Sequence, residues 1–155
     1  MIREIWLSQV NRWHSNTTPA LRSSGDNTQS HQCRVAQLLD LLNPDASKDL
    51  LRAALYHDNA EDVIGDVPRG KKTPQQEFRE QEIMEIRGIS IDLSVREQMW
   101  LNLCDSLDAV LWAGLNAPWL MDRQDWVEHT QDVIRMAEHL GVRAEVLKLL
   151  DGGVE

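Results

Sequence analysis

Positive charge is scarce in this chain, as are cysteine, strand-forming runs and long apolar stretches. The 16 Lys and Arg stand against 25 Asp and Glu, leaving a formal net charge of −9 over 155 residues. That deficit argues against nucleic-acid partners and against an anionic membrane surface, because both require a basic face. Only two cysteines occur, Cys33 and Cys104, and neither belongs to a CxxC spacing, which argues against a zinc knuckle or a disulfide scaffold. Both lie in apolar helical patterns and are expected to be buried free thiols in a reducing cytoplasm. No apolar run approaches the roughly 18 residues of a membrane span, and the opening MIREIWLSQV does not read as a signal peptide. Repeats, low-complexity tracts and linker-like stretches are missing too. One cytoplasmic domain over residues 1–155 is expected, long enough to bury a real core.

What is present is helical periodicity. Ile2, Ile5, Trp6 and Val10 predict a helix over residues 2–13, and the polar, Ser/Thr/Asn-rich stretch 14–29 reads as an ordered loop or flexible flap. Val35, Leu38, Leu39 and Leu42 predict a helix over 30–42, and Leu50, Leu51, Ala54 and Leu55 another over about 46–58. Further helices are expected at about 75–86, with Phe78, Ile83 and Ile86 on the buried side, and at about 92–115, 123–139 and 142–150. The predicted fold class is all-α, a bundle of about six or seven helices.

The segment YHDNAEDVIGDVP, residues 56–68, sets one histidine among Asp58, Glu61, Asp62 and Asp66 without a lysine to balance them. A helix through 50–62 would bring His57, Asp58 and Glu61 to one side of its end. His57 continues the inward line of Leu50 and Ala54, and His31 lies four residues before Val35 on the apolar stripe of its own helix. Two inward imidazoles beside a carboxylate that would otherwise be unpaired suggest a bound cation. A further carboxylate is available in LNLCDSLDAVLWAG, which carries Asp105 and Asp108; helical geometry alone puts Asp108 nearer the middle of the apolar arc.

His31, His57-Asp58 and Asp105 together resemble the H…HD…D pattern of the HD-domain metal-dependent phosphohydrolases. Arg12-Trp13, NTQSH at 27–31, YHDNAEDVIGDVP at 56–68 and LCDSLDAVL at 103–111 are similar to the 5′-deoxynucleotidase branch. The resemblance covers about residues 8–112. It implies His31, His57, Asp58 and Asp105 as metal ligands, with Asp108 as a neighbouring acid. Two imidazoles and two carboxylates suit Co²⁺, Mn²⁺, Fe²⁺ or Zn²⁺, and a second ion of the Mg²⁺ type on the phosphates is compatible with the set. The resemblance further implies Glu61 as the proton-transfer acid, Arg12 as the catalytic phosphate-orienting cation, Trp13 as a wall against the sugar and Asp66 as a sugar contact. Ser30 stands where the family usually has Glu, and the stretch between Arg12 and His31 is longer than in the bacterial nucleotidases.

PRGKK, with Arg69, Lys71 and Lys72, is the only dense basic cluster. Beside a metal cleft it would serve as a polyphosphate clamp. The short chain also resembles the small viral dATP triphosphohydrolases, which implies a dATP (dNTP) substrate released as deoxynucleoside and triphosphate, in a host cytoplasm. The alternative is a 5′-deoxynucleotidase acting on dNMPs. HDNAED also matches the HD-x-x-ED of guanosine tetraphosphate hydrolases, and a degenerate HD nucleotide-sensing module is the non-enzymatic reading. Family habit implies a homo-oligomer.

Overall fold

Helix starts are written into the sequence as capping residues, and most of them are used. A computed structural model describes residues 9–67 and 71–152. Thr18 Oγ1 accepts from the Leu21 N–H to start α1 (Pro19–Ser23), and Asn27 caps α2 (Thr28–Leu42) by accepting from the Ser30 N–H. Ser47 caps α3 (Lys48–Tyr56). A short α4 (Glu61–Ile64) follows, then α5 (Pro74–Ile86) and α6 (Val95–Asn116), both opened by reciprocal capping boxes, Thr73 with Gln76 and Ser94 with Glu97. Gly141, at φ +82°, takes the left-handed conformation that ends α7 (Gln124–Leu140) and admits α8 (Arg143–Leu150). The molecule is all-α: six helices of eight residues or more, the short α1 and α4, and two 3-10 turns among the described residues.

The 22-residue α6 is the axis of the core. Its Leu103, Cys104, Leu107 and Ala113 are fully buried and meet Val35 and Leu39 of α2, Leu50 and Ala54 of α3, and Val133 and Ala137 of α7. No helix among the described residues is long and apolar enough to cross a membrane.

Five sequence-based expectations are corrected, the last of them the burial of Cys33. Of the helix expected at 2–13, residues 2–8, Ile2, Ile5 and Trp6 among them, lie outside the described residues, and residues 9–12 are not helical. The Val10 carbonyl accepts from the Thr28 N–H at 2.9 Å and the Arg12 N–H donates to the Asp26 carbonyl at 3.4 Å, so this backbone pairs with the entry to α2. The 14–29 stretch is not a bare loop: it holds a 3-10 turn, Trp13–Asn16, and α1, whose Leu21 is fully buried. Phe78 and Ile86 do not face inward. They are 72% and 77% exposed, and only Ile83 and Met84 of α5 pack, against Ala60, Ile64 and Ile89. The helix expected through residue 58 stops at Tyr56, a break with direct consequences for the site.

Cys33 is likewise exposed, whereas Cys104 is buried, with burial and then Asp105 pushing its thiol up to about 12. A thiol reagent at neutral pH should therefore modify Cys33 alone, since the thiolate is the nucleophile. Mass spectrometry of the labelled protein decides it, and equal labelling of Cys104 before denaturation would contradict this packing.

Candidate metal centre and active-site cleft

The turn after α3 builds the site. His57 occupies the C-cap position, and residues 57–60 turn the chain before α4 restarts it at Glu61. His57, Asp58 and Glu61 therefore converge through a turn rather than along one helix. The turn is pinned from outside: Gln32 Nε2 donates to Asn59 Oδ1 at 3.1 Å, and Arg87 grips Asp62 through two bonds of 2.8 and 2.9 Å as well as the Asn59 carbonyl. Arg87 thus supplies one missing counter-charge of the acidic segment. Gly65, at φ +78°, then turns the chain so that Asp66 comes back under Arg12 and Trp13.

Two histidines face one point. His31 is fully buried on α2, and its Nδ1 lies 2.7 Å from Asp108 Oδ2. Burial raises the Asp108 pKa, but His31 and Arg34 outweigh it and hold the acid ionised. Asp108 can then only accept, so His31 Nδ1 keeps a proton, and Nε2 is the atom that presents a lone pair inward once its own proton is displaced. His57 Nδ1 donates to the Ala54 carbonyl at 2.9 Å, with the same result. Both Nε2 atoms are buried without a hydrogen-bond partner. His31 Nε2 is 3.5 Å from Asp58 Oδ2 and 3.1 Å from Asp105 Oδ1; the corresponding His57 distances are 3.4 and 4.0 Å.

These separations test the fit of a cation. Ligand atoms bound at about 2.0–2.2 Å to one ion stand roughly 3–3.5 Å apart. Three of the four imidazole–carboxylate separations, 3.1, 3.4 and 3.5 Å, match that spacing, the His57–Asp105 distance of 4.0 Å is longer, and His31, His57 and Asp58 by themselves form a group able to hold an ion. The two α6 acids lie on different sides of the His31 ring. Asp105 offers an oxygen to the inner face of His31, whereas both oxygens of Asp108 are engaged behind it, by His31 and by Arg34.

The electrostatics follow from burial. Burial raises the Asp105 pKa, yet His31, His57 and Arg12 hold it well below the usual carboxylate range. For His31, burial and Arg12 lower the pKa, while Asp105 and Asp108 overcome them and lift it to about 9. Glu61 is pushed up to about 10 by burial and then by Asp58 and Asp66; its Oε2 accepts the Thr28 hydroxyl at 2.8 Å.

Arg12 is no surface residue. At 3% exposure it sits among Asp58 (2.9 Å), Asp66 (3.1 Å) and Asp105 (3.6 Å). Asp66, the expected sugar contact, lines the cleft; its Oδ2 accepts the Trp13 N–H at 2.7 Å and faces Arg12, so it also seats those two residues. Trp13 stacks on Trp126 of α7 with centroids 5.6 Å apart and planes at 18°. Of the basic loop, Lys71 and Lys72 both line the cleft. Arg69 lies outside the described residues, and Lys72 is tied to both oxygens of Glu80 at 2.7 Å, leaving Lys71 of the three on the cleft wall without that pairing. The cleft measures about 1260 Å³ and runs from His57 and Asp58 past Glu61 and Trp13 to His129 and Arg135 of α7.

Sequence reasoning missed Trp126 and His129, which lie in a part of the chain without motif, and the supports Arg34, Asp26 and Thr28. Arg34 had a signal, standing three residues after His31 as Asp108 stands three after Asp105. In comparisons with known proteins, a family model described as HD domain matches residues 28–151. No curated protein and no solved structure matches the chain.

Proposed function

The chain belongs to the HD-domain family of metal-dependent phosphohydrolases, and from that premise we propose that it hydrolyses 5′-deoxynucleotides at the ester joining the α-phosphate to the nucleoside. The observation that carries this reading is the pair of orphaned Nε2 atoms beside Asp58 and Asp105, at the head of a cleft walled by Trp13. His31, His57, Asp58 and Asp105 would hold a borderline divalent ion such as Co²⁺, Mn²⁺, Fe²⁺ or Zn²⁺. When bound, such an ion lowers the pKa of water and polarises the phosphorus centre. Arg12 orients the phosphate with a rigid fork of donors whose own position is set by Asp58 and Asp66. Glu61, lining the same cleft and held protonated, supplies a proton to the departing sugar oxygen.

Trp13 carries the sugar preference. A flat ring backed by Trp126 cannot yield, and a ribose 2′-hydroxyl packed against it would lose its hydration without a partner. An apolar wall of this kind rejects an added hydroxyl by about 10² at most. Trp13→Ala should move the dNMP-to-NMP ratio of kcat/KM toward one. An unchanged ratio would remove Trp13 from sugar recognition.

The length of the phosphate chain is the open choice within this reading. Lys72 is neutralised by Glu80, and Glu77 and Glu80 line the wall where β- and γ-phosphates would lie, which favours a monophosphate. Lys71 on that wall favours the second reading, dATP triphosphohydrolase activity. Incubation of the Co²⁺-loaded protein with each dNMP, dNTP and NTP, followed by identification of the products, separates them. Orthophosphate from dNMPs supports the first reading, and triphosphate from dATP the second. A metal-loaded protein that binds these nucleotides and cleaves none would instead be a sensing module.

A further inference from the structure

A line of buried charges runs behind the metal centre, away from the cleft. Asp108 Oδ2 holds His31 Nδ1 at 2.7 Å. Arg34 holds Asp108 through Nε at 2.6 Å and through its NH2 nitrogen at 2.9 Å, and that same nitrogen donates to Asp26 Oδ1 at 2.7 Å. The other oxygen of Asp26 faces His14 Nε2 at 3.1 Å. Asp26, Asp108 and His14 are all buried, and the Arg34 guanidinium lies 4.2 Å over the Trp112 ring. Trp112 is itself fixed by donating its Nε1–H to Ser24 Oγ at 2.9 Å.

We propose that Arg34 is a positioning residue for the metal centre: its guanidinium fork locks Asp108, and through it the orientation and tautomer of His31, while Asp26 keeps the fork in place. The inference rests on the metal reading given above but on no particular substrate. Two contacts from one planar fork, one to each oxygen, fix the carboxylate of Asp108 in rotation as well as in distance, and a third ties the fork to Asp26. A lysine at this position would supply the charge from a single point and leave Asp108 free to turn. An ion pair that merely neutralised two buried acids would make no such distinction. Orienting partners behind a metal-bound imidazole are worth about 10- to 100-fold in metal affinity.

The test titrates metal-depleted protein with Co²⁺, reading bound ion by visible absorption and calorimetry. Parent, Arg34→Lys, Arg34→Gln and Asp26→Asn are compared with Val146→Ala, a buried substitution on α8 remote from the site. The parent should bind one Co²⁺ tightly, and Val146→Ala should match it despite a lower melting temperature. Arg34→Gln and Arg34→Lys should both bind about 10- to 100-fold more weakly with an altered Co²⁺ spectrum. Asp26→Asn should fall between them and the parent. Should Arg34→Gln fail to fold, the Lys variant decides, because it retains the charge. Arg34→Lys with the affinity and spectrum of the parent would overturn the inference while leaving the metal centre standing. A parent that binds no Co²⁺ overturns the metal reading itself, and the inference with it.

Discussion

Asp105→Ala should emerge from purification without metal, whereas Asp108→Ala should still bind an ion and hold it more loosely. The difference follows from which side of His31 each acid occupies. Asp105 Oδ1 lies 3.1 Å from Nε2, on the face toward His57 and Asp58, while Asp108 lies 2.7 Å from Nδ1 on the opposite face. On the proposed ligand set, removing Asp105 deletes a direct ligand. Removing Asp108 deletes the group that aims one, a loss of about 10- to 100-fold in affinity. His31→Ala, His57→Ala and Asp58→Ala should behave like Asp105→Ala, and elemental analysis after gel filtration reads all five variants. Retention of a full complement by Asp105→Ala with loss in Asp108→Ala would exchange the two roles. Affinity should also depend on pH with a defined sign. A metal must displace the proton from His31, whose pKa is lifted to about 9, so apparent Co²⁺ affinity should climb from pH 7 toward pH 9 and then level off.

Glu61→Gln should be nearly inactive and, once depleted of metal, more stable than the parent. The first effect comes from deleting the proton carrier while preserving shape, typically ~10²- to 10⁴-fold in rate. Metal content should stay near the parent's, because the substituted amide would still meet the Thr28 hydroxyl and none of the four ligands is touched. The second effect is a linkage argument. Glu61 is held near 10 in the folded protein by burial and by Asp58 and Asp66, against an ordinary value of 4.5. Between those values the unfolded chain releases a proton that the folded chain keeps. The stability of the parent therefore falls as pH rises through that window, and it is undiminished below about 4. Glutamine titrates in neither state, so the melting temperature of the variant should exceed the parent's at pH 7–8, with the gap closing in acid. Unchanged turnover would return Glu61 to a structural acid, and identical melting curves at pH 8 would mean that its burial carries no proton.

Periodicity and capping residues are enough to predict an all-α chain and most helix limits, because an apolar stripe at helical spacing must be buried and a cap must satisfy free N–H groups. Residue chemistry is enough to nominate His31, His57 and Asp58, whereas helical geometry points to Asp108 and only the family resemblance selects Asp105. Periodicity fails where helices end or lose their partners. It carries His57 and Asp58 along a helix that stops at Tyr56, and it puts Phe78 and Ile86 in the core on a helix that packs by a narrow strip. Neither outcome is encoded locally, because the winning contacts come from Arg87, Gln32 and α4, remote in sequence. The roles of Asp105 and Asp108 are also beyond helical phase. Three residues apart on α6, both face α2, and only the position of the His31 ring between them, with Arg34 behind, sets one against Nε2 and the other against Nδ1. The basic loop shows the same limit: composition counts Lys72 as a free cation, and the fold commits it to Glu80. Composition and periodicity specify which chemical groups are available and where most helices run. Tertiary structure decided which groups meet, because side-chain pairing depends on distances across the core that a linear pattern does not specify.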